Sequence, residues 1–159
     1  MWIIKCYKVM NLGVRRSVIM LVLVVMASLS AMAQRGLNVR NVFADKYAKL
    51  PNAVATYVAG ERLEKYHLDV YRSLSLTCDV KTAAEIEHLV LSDGATATDK
   101  EVAYRDGHLR YGFYVLPVLA ATRRYLFYAG KSLGGDKVKV TVIYMSGDAT
   151  KSQVLKMVK

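Results

Sequence analysis

The dipeptide Asp106-Gly107 separates two segments rich in β-forming residues, Lys100–Arg105 and His108–Val115. A two-residue hairpin turn needs positive φ at both central positions, and aspartate followed by glycine tolerates that conformation. The segments Ala121–Ala129 and Lys137–Met145 predict a second hairpin around the glycine-rich stretch between them. Because hairpin strands pair antiparallel, the sequence predicts an α+β fold whose antiparallel sheet is built largely from two consecutive hairpins.

A regular alternation of apolar and polar residues predicts a further strand from Asp69 to Cys78. Successive side chains of a strand point to opposite faces. Leu74 and Leu76 therefore share one face with Cys78, and we expect this face to pack on the core. The shorter stretch Ala53–Ala59 also has strand character and ends at a glycine.

Three segments carry apolar residues at helical spacing. The first is Val42–Leu50, which ends before a proline. Asp79 or Thr82 caps the second helix, which ends at Asp93-Gly94, where glycine favours helix termination. The third covers residues 149–158 at the end of the chain. We expect about three helices, packed on one face of the sheet.

The first 33 residues have the pattern of a cleavable secretory signal peptide. The apolar run Val18–Val25 is followed by Ala31-Met32-Ala33, and Gln34 would be the first residue after cleavage; Ala31 and Ala33 are the small residues of the cleavage site. The alternative is an uncleaved membrane anchor, although a spanning helix needs roughly 20 apolar residues. The basic residues that precede the run are Lys5, Lys8, Arg15 and Arg16.

These features predict residues 1–33 as a signal peptide and residues 34–159 as a single α+β domain, exported to the periplasm or the cell surface. Either Met1 or Met10 could be the true start. The leader carries four of the 23 basic residues and none of the 13 acidic ones, so its removal lowers the net charge from +10 to +6. An exported basic protein has no access to nucleic acid, and contacts a membrane only through its leader before cleavage. Its expected partners are an envelope protein or an anionic lipid or glycan, although a positive charge also serves solubility.

Candidate catalytic residues are few. The spacing of His67, His88 and His108 matches no metal motif, and no cofactor or metal is expected. Outside the leader Cys78 is the lone cysteine, and its apolar context favours burial. The sequence leaves enzyme activity open and favours its absence. An enzyme or thiol-dependent protein that uses Cys78 remains one alternative, and a structural or assembly subunit remains another.

Tyrosine is the one unusual feature of the composition, since the chain has 11 tyrosines and three phenylalanines. Several tyrosines alternate with arginines on the predicted hairpins, and both residue types are frequent in interfaces. We therefore expect a non-enzymatic binding module that takes a protein partner or an anionic envelope ligand on a tyrosine- and arginine-rich sheet face. The alternative is that the tyrosines pair across strands of a half-buried sheet. The candidate binding residues are Tyr111, Tyr114, Arg110, Arg123, Arg124 and Tyr125.

Several short segments resemble small secreted Bacteroidota proteins of a domain-of-unknown-function family, the 6108/4252-like group. They are Asp45-Lys46-Tyr47, the strand Thr56-Tyr57-Val58, the segment Lys137–Tyr144, the closing Ser146-Gly147-Asp148 with its helix, and the A-x-A exit before Gln34. The resemblance implies an uncharacterised exported envelope protein. It implies no catalytic or binding residue.

Overall fold

A computed structural model describes residues 36–158. The predicted signal peptide and its cleavage site therefore lie outside the described residues. The elements in chain order are a first 3₁₀ helix (Asn38–Asn41), α1 (Asp45–Ala48), β1 (Val54–Ala59), a second 3₁₀ helix (Gly60–Tyr66), β2 (Leu68–Asp79), α2 (Val80–Gly94), β3 (Asp99–Arg105), β4 (His108–Leu119), β5 (Thr122–Gly134), β6 (Lys137–Gly147) and α3 (Lys151–Val158).

The six strands of the described residues form one antiparallel sheet with the order β1-β2-β6-β5-β4-β3. The prediction of an α+β fold with an antiparallel sheet is confirmed. The β3–β4 hairpin turns at Asp106 and Gly107, with φ angles of 54° and 80°. The two predicted hairpins make up only part of the sheet, because β4 also pairs with β5 and β2 pairs with β6.

The helices lie on both faces of the sheet, so the prediction that they pack on one face is wrong. The face that carries α2 has the larger core, in which Ile86 and Val90 of α2 are fully buried. Leu74, Leu76 and Cys78 are buried as predicted. Other strand residues buried on this face include Leu126, Tyr128, Val140, Val142 and Tyr144.

The opposite face carries α3 and the second 3₁₀ helix. Val154 of α3 and Leu63 of the 3₁₀ helix join one apolar cluster with Phe113 and Phe127. Tyr125 belongs to the same cluster, and its hydroxyl donates to the Ala149 carbonyl at 2.7 Å. Strands β4, β5 and β6 carry apolar side chains on both faces of the sheet. Each face therefore needs a helix that covers these side chains and excludes water.

The helix boundaries also differ in part from the sequence prediction. Of the predicted helix Val42–Leu50, only Asp45–Ala48 is helical, as the four-residue α1, and the first 3₁₀ helix ends just before the predicted range, at Asn41. Asp79 rather than Thr82 is the N-cap of α2, since its carboxylate accepts from the Thr82 N–H at 2.7 Å. None of the helices in residues 36–158 is long and apolar enough to cross a membrane.

The first 3₁₀ helix is attached to the end of α2 by a buried carboxylate. Asp93 is 3% exposed, and its two oxygens accept from the backbone N–H groups of Asn38 and Val39 at 2.8 and 2.7 Å. The Asn38 side-chain amide adds a third bond at 2.9 Å. Asp93 therefore supplies acceptors for N–H groups that a helix start leaves unpaired.

The last residue of β6 lies against the start of β2. Gly147 is buried with a φ of 152°, and the β2–β6 register shifts beside it, between Leu68 and Val70. The His67 carbonyl accepts from the Ala149 N–H at 2.8 Å. The end of β6 and the start of β2 therefore approach closely at Gly147, and a glycine permits this because it has no side chain.

Candidate functional site

The six candidate binding residues do not share a face. Pairing with β5 places Tyr111 and Tyr125 on the α3 face and Tyr114 and Arg124 on the α2 face. By the same alternation Arg123 lies with Tyr125, and Arg110 lies with Tyr114. The idea of one tyrosine- and arginine-rich sheet face is therefore wrong, because neighbouring residues of a strand point in opposite directions. Binding by the individual residues stays a prediction.

Most of these six residues have structural contacts. The Tyr114 ring is 1% exposed and packs between Gly94 and Gly112, where a Cβ on either glycine would collide with it. Burial raises the pKa of Tyr114 to about 12. The Arg124 Nε donates to the Pro117 carbonyl at 2.9 Å, and the Arg123 Nη1 donates to the Asp148 carbonyl at 2.7 Å.

Arg110 lines a cavity of the described residues. It lines a cleft of about 470 Å³ between α2 and the β3–β4 turn, with β5 and β6 as the floor. We call this cavity the α2 cleft. Its volume is within the range of small-molecule sites. Its lining residues are Val80, Ala83, Ala84 and Glu87 from α2, Arg105, Asp106, His108, Leu109 and Arg110 from the hairpin, and Tyr128, Gly130, Ser132 and Val138 from the floor.

A buried carboxylate joins α2 to the hairpin at one wall of the cleft. Glu87 Oε1 accepts from the Leu109 N–H at 2.8 Å, and Glu87 Oε2 lies 3.2 Å from His108 Nδ1. Because a carboxylate only accepts, the imidazole donates from Nδ1. Both oxygens of Glu87 are thereby engaged with the protein. His108 itself is largely exposed, so its ring is accessible to a ligand.

The Tyr128 hydroxyl lies over Gly130 on the floor of the cleft, and the glycine leaves room for it because it has no side chain. A Cβ there would lie 2.9 Å from the Tyr128 hydroxyl and 3.1 Å from the Leu109 carbonyl. Arg110 occupies the neighbouring position on β4, one residue before the Tyr111–Ala129 pair. Burial raises the pKa of Tyr128, while the positive charge of Arg110 opposes that rise. The Tyr128 hydroxyl therefore stays protonated and can donate near Arg110.

The two arginines of the cleft differ in whether an acidic side chain pairs with them. Arg105 Nε lies 3.8 Å from the Asp106 carboxylate, and both side chains are highly exposed. Such a pair contributes little and exchanges readily. Arg110 is half-buried and makes no ion pair within residues 36–158. Arg110 is therefore a cation of the cleft that no acidic side chain of the described residues pairs with.

Cys78 lies near the cleft without lining it. Its Sγ lies 3.8 Å from the Val138 carbonyl, and Val138 is its partner across the β2–β6 pair. Burial, followed by the charge of Asp79, raises the pKa of the thiol. A reactive cysteine needs a lowered pKa and exposure, so its surroundings favour an inert thiol. Within the described chain, no group of three or more histidine, cysteine or acidic side chains could hold a metal ion.

Sequence reasoning missed Glu87, Arg105, His108 and Tyr128 as parts of one site. The position of His108 next to the Asp106-Gly107 turn could have indicated a site residue, since the tip of a hairpin is accessible to a ligand. The contact of His108 with Glu87 depends on how α2 crosses the sheet, and no local pattern encodes it.

The fold and the cleft define a small α+β domain with one antiparallel sheet and a surface cleft of mixed charge. The chain belongs to the Family of unknown function (DUF6108), whose model matches residues 26–158. We found no match among curated proteins and none among solved structures.

Proposed function

We propose that this protein is an exported, non-enzymatic binding module of the cell envelope, and that its α2 cleft takes an anionic ligand with a short apolar portion. The observation that carries the proposal is the half-buried Arg110 without an acidic partner in residues 36–158, in the α2 cleft that it shares with the Tyr128 hydroxyl. A guanidinium at such a position binds a phosphate or carboxylate strongly, because its donors form a planar fork.

The remaining lining matches the two parts of such a ligand. The Tyr128 hydroxyl and the Ser132 side chain add donors near the anionic group. Val80, Ala83 and Val138 provide apolar surface for a short alkyl portion. Glu87 does not repel the anion at full strength, because His108 and the Leu109 N–H already bind its carboxylate.

Titration with n-hexyl phosphate tests the site. We expect binding to the wild-type protein, and we expect Arg110→Gln to weaken it roughly tenfold or more, since a charge-assisted hydrogen bond is lost. Isothermal titration calorimetry measures both affinities.

Arg62→Gln is the matched control. It removes one positive charge from the exposed second 3₁₀ helix, away from the cleft, and should leave the affinity unchanged. An Arg110→Gln protein that binds hexyl phosphate as tightly as the wild type would refute the site. Equal binding of n-hexanol would show that the anionic group is not what the cleft recognises.

The export part of the proposal rests on the basic residues, the apolar run and the A-x-A site in residues 1–33. We expect the protein isolated from its host's envelope fraction to begin at Gln34, which intact-mass spectrometry measures directly. Ala33→Phe is the control variant, because a large residue at the cleavage site blocks the peptidase and leaves the leader attached. A wild-type protein that retains residues 1–33 would overturn export by cleavage.

A further inference from the structure

The two edges of the sheet differ in how they are protected. Edge strand β3 carries Asp99, Lys100, Glu101 and Arg105, and Lys151 of α3 forms ion pairs with Asp99 and Glu101 at 2.7 and 2.9 Å. Charged residues on an edge strand prevent another strand from pairing with it. The β3 edge is therefore protected by its own sequence.

Edge strand β1 has no such protection among residues 36–158. Its six residues, Val-Ala-Thr-Tyr-Val-Ala from Val54 to Ala59, carry no charge and no proline. Val54 is 66% exposed and Tyr57 is 49% exposed. An uncharged, exposed edge strand of high β propensity is a template for addition of a strand.

The side chains of β1 are complementary to those of a second β1. In antiparallel pairing about a two-fold axis at Thr56, Val54 of each copy lies opposite Val58 of the other, and Ala55 lies opposite Tyr57. The first pair is on the α3 face and the second is on the α2 face. A small residue then faces each tyrosine ring, and two valine–valine pairs lie on the other face on either side of the two Thr56 residues, as cross-strand pairs prefer.

We propose that β1 pairs with β1 of a second copy of this chain, which joins two six-stranded sheets into one two-fold symmetric sheet. Each copy carries a positive net charge, so two copies approach best along a strand without charged residues, and β1 is such a strand. The Arg72 guanidinium of β2 lies over the Tyr57 side chain, 5.3 Å from its ring centroid. The pairing uses the same patch on both copies, as a two-fold dimer requires. The α2 cleft is on other elements, so this proposal does not depend on the proposed ligand.

Analytical ultracentrifugation of the protein as its host produces it tests the dimer. We expect a concentration-dependent monomer–dimer equilibrium in the wild type. Thr56→Lys places two lysines opposite each other at the two-fold axis, and we expect it to raise the dimer dissociation constant roughly tenfold. Thr56→Glu should do the same through two glutamates.

The charge swap separates a lost interface from a damaged fold. An equimolar mixture of the Thr56→Lys and Thr56→Glu proteins places lysine opposite glutamate, and we expect dimers to return. Val102→Lys on the exposed β3 edge is the matched control and should leave the equilibrium unchanged. A wild type that stays monomeric at all concentrations would overturn the proposal, as would single variants that dimerise like the wild type or a mixture that stays monomeric.

Discussion

Replacing Gly147 with alanine is expected to lower the free energy of unfolding by about 3 to 4 kcal/mol, which is large for a single methyl group. A Cβ at this position would lie 2.6 Å from both the His67 carbonyl oxygen and the Leu68 Cα, and 2.8 Å from the Asp69 nitrogen. All three are backbone atoms, so no side chain can rotate away to make room. Relief requires β6 to separate from the start of β2.

Gly134→Ala is the control for this variant. Gly134 also has positive φ, at 94°, but a Cβ there meets nothing within 4 Å. Alanine at Gly134 should therefore cost only about 1 kcal/mol, the conformational part of the effect. Urea unfolding of the two variants beside the wild type measures both losses. Equal losses in the two variants would show that backbone conformation, and not the close approach at Gly147, accounts for the effect.

The second large effect is expected for Asp93→Ala, which should lower the free energy of unfolding by about 3 kcal/mol. The substitution removes three hydrogen bonds and leaves the buried Val39 N–H without an acceptor. The first 3₁₀ helix should then detach from α2 before the rest of the domain unfolds. Hydrogen exchange at the Asn38 and Val39 amides measures this local opening.

Asp99→Ala serves as the comparison for a surface carboxylate. Asp99 is exposed and pairs with Lys151 at the protein surface, where solvent weakens the attraction, so its loss should lower the free energy of unfolding far less than the loss of Asp93 does. If Asp93→Ala were no more costly than Asp99→Ala, or if the Val39 amide kept its protection, Asp93 would not be what attaches the N-terminal segment.

The strands were predictable because their signals are local. The strand from Asp69 to Cys78 was predicted from the alternation of apolar and polar residues, and the turn at Asp106-Gly107 from residues that tolerate positive φ. Both predictions are confirmed. The turn between β4 and β5 was not predicted as such. It places Ala120 and Ala121 at φ angles of 49° and 64°, which alanine disfavours, so pairing of the flanking strands must impose this conformation.

The placement of the helices and of the site depended on tertiary packing. An apolar stripe at residues 149–158 predicted a helix but could not indicate which face of the sheet it covers. The burial of Tyr114 needs Gly94 and Gly112, which are 18 residues apart in the chain and meet only after α2 has crossed the sheet. Successive side chains of a strand point to opposite faces, however, and this rule alone would have placed Tyr111 and Tyr114 on different faces of the sheet, and likewise Arg124 and Tyr125.

The strand order also determines when this chain can fold. Strand β2 obtains its second neighbour only from β6, since Asp79 pairs with Lys137 and Leu68 pairs with Gly147. These contacts close loops of about 60 to 80 residues, and such non-local pairing slows folding. The β1–β2 hairpin therefore stays an incomplete sheet until the chain is present to residue 147. Once β1 and β2 have entered a narrow pore, the part of the chain that has not yet entered cannot complete the six-stranded sheet.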